Sequence, residues 1–112
     1  MADLIPLAQR YFDEWNARGD LRSLLADDAM LRDWDIEEHG GEAVAEANNR
    51  IFKALPNIKI DITAMHPSTA SSTVACEILV NLNDGTDTVL KVCDVIEFDV
   101  GGKIKAVRAY KC

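Results

Sequence analysis

Residues 87–110 read DTVLKVCDVIEFDVGGKIKAVRAY, and the period of this stretch decides the fold. In an extended chain successive side chains point to opposite faces. Leu90, Val92, Asp94, Ile96 and Phe98 therefore share one face, and Lys91, Cys93, Val95, Glu97 and Asp99 share the other. Gly101-Gly102 turns the chain, and Lys103 to Tyr110 makes a second strand. A short turn between long strands makes them antiparallel neighbours. Asp94 is a carboxylate in the middle of an apolar row. A one-residue slip in register would not remove the oddity, because its row-mates move with it.

Working back from this hairpin, Ala70 to Leu82 reads as a strand turned at Asn83-Asp84-Gly85, and Asn57 to His66 as one turned at Pro67-Ser68. The C-terminal half is then a four-stranded antiparallel meander. The N-terminal half is helical in period. Asp3 caps a helix running to about Arg18, with Leu4, Leu7, Ala8, Tyr11, Phe12 and Trp15 as its apolar stripe and Gly19 as its stop. Asp20 caps a short second helix, Leu21 to Leu25. Asp27-Asp28 is a break, and Ala29 to Asp35 a short strand. Gly40-Gly41 opens a third helix, Glu42 to Ala54, which Pro56 ends. The expected fold is α+β: a curved antiparallel sheet whose concave side is closed by three helices from the N-terminal half. Such an arrangement leaves a cone-shaped apolar pocket of the kind that takes small molecules.

The bulk properties narrow the partners. The chain has 112 residues, one domain's worth, spanning 1–112. Its formal net charge is -7, and its 12 basic residues form no patch, so nucleic acid and anionic membranes are excluded as expected partners. No apolar stretch approaches the ~18 residues of a membrane span, and Met-Ala-Asp-Leu-Ile-Pro has no signal-peptide character. Cys76, Cys93 and Cys112 are odd in number and form no Cys-x-x-Cys pair, which fits reduced thiols and a cytoplasmic location.

Candidate site residues follow from the faces. A carboxylate in the position of Asp94 must be paired, hydrogen-bonded or neutral. Desolvation favours the protonated form, which can donate a hydrogen bond to an oxyanion. An Asp held by a buried Arg or by backbone N–H groups would explain the position equally well. Asp33 lies at a strand end facing a helix, as a cavity-wall carboxylate or a solvated loop residue. Asp35 is the weaker choice, nearer the acidic Glu37-Glu38 loop. Tyr11 sits on an apolar helix stripe; its ring is core by default, but a buried phenol needs a partner. His66 ends the row Ile58, Ile60, Ile62, Ala64, either at the cavity or as an ordinary strand-end histidine. Trp15, Trp34, Phe52, His66, Val92 and Val107 form the expected substrate-contacting wall. His39 sits in an acidic loop, and two separated histidines without clustered cysteines give no metal-ligand spacing. No Gly-rich phosphate loop or nucleophile elbow is present, and no cofactor is expected. The outward row Thr73, Ala75, Glu77, Leu79 with Cys93 and Val95 is half apolar, which predicts a homodimer through that face.

Gln9-Arg10-Tyr11, Asn16 to Asp20, Asp27-Asp28-Ala29 to Asp33, Cys93-Asp94 through Phe98, Gly102-Lys103 and Val107-Arg108-Ala109 occur in an order that resembles one family over nearly the whole chain. It is the ketosteroid isomerase and SnoaL-like (polyketide cyclase) branch of the nuclear transport factor 2-like superfamily. The resemblance implies a cystatin-like cone fold and cofactor-free proton transfer α to a carbonyl on a hydrophobic substrate. It assigns Asp33 as the general base, and Tyr11 and a protonated Asp94 as donors to the dienolate oxygen. The chain departs from the steroid isomerases in carrying Trp34 after Asp33, and Asn48-Asn49 where a supporting tyrosine is expected. Two alternatives stay open: a non-catalytic pocket or dimerisation module, and another lyase or cyclase reaction, for which His66 is the candidate.

Overall fold

The computed structural model describes residues 3–112. In chain order it contains α1 (Leu4–Ala17), a 3-10 turn (Arg22–Leu24), β1 (Leu25–Arg32), β2 (Glu37–His39), α2 (Gly41–Ala54), β3 (Lys59–Ser68), β4 (Thr73–Asn81), β5 (Val89–Phe98) and β6 (Ile104–Lys111). The strands form one six-stranded sheet in the order β2-β1-β6-β5-β4-β3. β3 to β6 make the expected antiparallel meander, and β1 joins it parallel to β6. The helices pack on the face carrying Val74, Cys76, Ile96 and Val107, all essentially inaccessible, against Ala8 and Phe12 of α1 and Val44 and Ala47 of α2. No described helix is long and apolar enough to cross a membrane.

α1 starts as expected: the Asp3 carboxylate accepts a hydrogen bond from the Ile5 N–H at 3.2 Å. It ends one residue earlier than a glycine stop would place it. Arg18 takes the left-handed conformation (φ 58°), and the Gly19 N–H donates to Glu14 O at 2.8 Å. The strain at Arg18 is offset by its guanidinium, which donates to the carbonyls of Pro56 and Ile58 at 3.1 and 2.7 Å.

Two helices, not three, are α-helical. The expected helix Leu21 to Leu25 is a single 3-10 turn. The Asp20 carboxylate accepts from the Ser23 N–H at 3.1 Å, but Leu25 already has φ -94° and ψ 139° because it pairs with Ile104 of β6. Tertiary pairing ends the helix after one turn. Asp27-Asp28 is likewise no break. Both acids lie inside β1, where the pairing with β6 shifts register between Leu25 and Met30, and both are exposed. The strand also stops at Arg32, short of the expected Asp35. The acidic segment Glu37–His39, read as loop, is an edge strand paired with Arg32, Leu31 and Met30.

Pro67 and Ser68 belong to β3, so that turn falls later, at residues 69–72, with Ser72 at φ 51°. Within β3 the register shifts between Ile62 and Ala64. This bulge inverts the alternation downstream. Met65, opposite Cys76, turns to the helix-covered side, and His66, opposite Ala75, turns to the outer one.

Candidate functional site

The wide end of the sheet, α1 and α2 enclose a cavity of about 280 Å3. Its polar side chains come from α1, α2, β5 and the segment after β1. On β5, Asp94 pairs with Cys76 of β4 and Ala109 of β6, so it faces the helices between the apolar rows. On α1, Tyr11 and Trp15 are one turn apart and both line the cavity. Asp33 follows the end of β1. Its Oδ1 accepts from the backbone N–H groups of Asp35 and Ile36, each at 2.7 Å. That Asx turn fixes the carboxylate at the cavity wall. Asp33 is half-buried and Asp94 is 6% exposed.

Among the described residues, no protein group hydrogen-bonds the Tyr11 hydroxyl or the Asp94 carboxyl, yet neither is a buried orphan. Both therefore open on the cavity. No arginine or backbone N–H holds Asp94, so the structural explanation for its position is absent. Burial, and secondly the charge of Asp33, push its pKa up to about 7. Burial, then Asp94, then Cys76, raise the Tyr11 phenol above its ordinary range. It stays protonated and can act only as a neutral donor or acceptor. Cys76 is pushed up to about 12 by burial, Asp94 and Cys93, which makes it an inert thiol beneath the site.

Four of the six expected wall residues line the cavity: Trp15, Trp34, Val92 and Val107. Trp34 is 41% exposed at the rim, with Lys111 Nζ 5.0 Å from its ring. Phe52 does not reach the cavity. It packs edge-on against Trp15, with centroids 4.8 Å apart, and the Arg18 guanidinium lies 4.3 Å from its ring centroid. His66 does not reach it either, because the β3 bulge turns it outward, where it meets Glu77 at 2.6 Å. A reaction built on His66 loses its geometric basis. Asp35 also lines the cavity.

One buried polar residue was not read as a wall group from sequence. Asn48 of α2 lines the cavity and is 4% exposed. Its spacing from Val44, four residues back on the buried stripe, was the available signal.

A family model for the SnoaL-like domain matches residues 8–107. The chain belongs to the SnoaL-like family. Solved structures agree on the fold. A SnoaL-like family protein from Agrobacterium tumefaciens C58, proposed to be an isomerase, is 18% identical with a TM-score of 0.79, covering 96% of each chain. SalBIII, an epoxide hydrolase/cyclase-like enzyme in pyran ring formation in the polyether salinomycin, is 19% identical with a TM-score of 0.78, covering 97% of this chain and 90% of its own. An NTF2-like protein of unknown function from Exiguobacterium sp. 255-15 is 23% identical with a TM-score of 0.79, covering 95% and 98%. No curated protein matches the sequence. The SnoaL-like fold thus accounts for the cone and its cavity, while the chemistry rests on this chain's own side chains.

Proposed function

We propose that this SnoaL-like protein is an isomerase of ketosteroid-isomerase type, acting on a hydrophobic carbonyl compound. The observation that carries the reading is that Tyr11, Asp94 and Asp33 line one apolar cavity, and the first two spend no hydrogen bond on the protein. The Asp33 carboxylate removes a proton from the carbon beside the carbonyl. The C–H electron pair moves into the new C=C bond, and the carbonyl π pair moves to oxygen. Tyr11 and the protonated Asp94 each donate a hydrogen bond to that oxygen. Asp33 then returns the proton to the γ carbon, so the double bond shifts and no cofactor is consumed. With a pKa of about 7, Asp94 keeps its proton through mildly acidic pH and loses donor capacity above neutrality. Activity should therefore fall as pH rises through about 7.

The test is conversion of a β,γ-unsaturated ketone to its conjugated isomer, followed by ultraviolet absorbance. Asp33→Asn should lower the rate by about 10²- to 10⁴-fold while a phenol, mimicking the enolate, still binds. Tyr11→Phe should cost about 10²- to 10³-fold. An Asp33→Asn variant with wild-type rate would remove Asp33 as the base. Tight phenol binding by a wild-type protein that turns over no ketone would make the chain a binding module instead.

A further inference from the structure

The Asn48 carboxamide has an orientation that its partners dictate. Trp15 Nε1–H can only donate, and it donates to Asn48 Oδ1 at 3.0 Å. The Val44 carbonyl can only accept, and it accepts from Asn48 Nδ2 at 3.0 Å. The amide cannot be flipped without breaking both bonds. One Nδ2 hydrogen is left over, with no acceptor among the described residues, on a residue that is buried and lines the cavity. Around it the wall is apolar: Ile51, Leu55, Ile58 and Ile60. The hydrogen thus sits in an apolar enclosure where a lone donor is costly unless something accepts from it.

Trp15 lies one turn of α1 beyond Tyr11, about 6 Å along the helix axis, and Asn48 lies beyond the indole nitrogen. Asn48 of α2 is therefore a second polar point in the lining, on a different element from Tyr11 and Asp94.

We propose that Asn48 is a substrate-contacting specificity residue. It donates to a second acceptor oxygen, a ketone or ether, of an apolar substrate whose first oxygen lies at Tyr11 and Asp94. This deepens the isomerase reading by naming the substrate class, and it rests on that reading for the position of the first oxygen. The carboxylates of Asp33 and Asp35, which line the same cavity, argue against an anionic group in place of that second oxygen.

Calorimetry with two ligands tests it: a fused-ring phenol carrying a ketone at its far end, and the same phenol with that ketone replaced by CH2. The wild type should bind the keto-phenol about fivefold more tightly, the worth of one hydrogen bond. Asn48→Leu should abolish that preference. Trp15→Phe, which frees Asn48 Oδ1 and leaves the donor in place, should keep it. Equal wild-type affinities for the two phenols would overturn the inference and leave the isomerase reading standing. Loss of the preference in Trp15→Phe as well would make Asn48 a brace for the indole and not a ligand contact. Failure of either phenol to bind would remove both readings together.

Discussion

Asp94 is the one buried carboxyl among the described residues, and the effect of its burial can be followed, with its sign, into stability. Its carboxyl titrates near 3.8 when solvated and at about 7 in the fold. Between those pH values the native state holds a proton that the unfolded chain has released, so stability falls as pH rises through the window and levels off above it. At 1.36 kcal/mol per pH unit, the total loss is about 4 kcal/mol. Asp94→Asn keeps the size of the side chain and removes the titration. The variant should therefore gain on the wild type between pH 4 and pH 8, by up to about 4 kcal/mol in urea-melt free energy. A difference between the two that stays constant over that range would mean Asp94 is not held neutral. The same substitution puts a permanent amide donor at the oxyanion position, so under the proposed mechanism the fall in rate above neutrality should flatten as well.

At the scale of elements, what positions the cavity is the seam between α1 and the sheet edge. β3 is an edge strand, and its free backbone is capped at Ile60 by one side chain of α1. Asn16 donates to Ile60 O at 2.8 Å and accepts from the Ile60 N–H at 2.9 Å, as another strand would. Asn16→Ala orphans both groups. It should cost about 2 kcal/mol and lower Tm by on the order of 10 °C, read by calorimetry. An unchanged Tm would show that α1 is held by its apolar stripe alone. This seam also separates what the sequence made legible from what it hid. The β4–β6 alternation, the α1 stripe and the Asp3 cap are local patterns, and Asp94 and Tyr11 could be read from them. The extension of β1 through Asp27-Asp28, the strand at Glu37–His39 and the collapse of the second helix to one turn depend on pairing with β6 and β1, far away in sequence. His66 was misplaced because one bulge residue inverts a face, and no composition signal marks it. Phe52 shares the same limit: a helix stripe says that a ring is inward, not which ring stands in front.

At the scale of the whole molecule, the two faces of the sheet are unequal. One is sealed by α1 and α2. The other carries Ala75, Leu79, Cys93 and Val95, half-buried by their own neighbours, beside Tyr110, which is 51% exposed. Charged pairs, Glu77 with His66 and Glu97 with Arg108, sit on the same face. An apolar strip beside polar pairs is the anatomy of an interface. We propose that a second copy of the chain covers it, related by a twofold axis so that the strip meets itself. Such a dimer would also back β5, the strand that presents Asp94, and so stiffen the floor of the cavity. Sedimentation velocity at micromolar concentration should give twice the 12.4 kDa chain mass. Val95→Glu, which sets two carboxylates against each other across the axis, should return the monomer mass with little change in helical circular dichroism. Cys93 supplies an independent readout. Its thiol is half-buried in the single chain and its pKa is pushed up by burial and by Asp94, so it lags the exposed Cys112 in any case. The dimer should slow its reaction with a maleimide further, and Val95→Glu should speed it relative to wild type. A wild-type monomer at these concentrations, with Cys93 labelling as fast in wild type as in Val95→Glu, would leave the strip to some other partner.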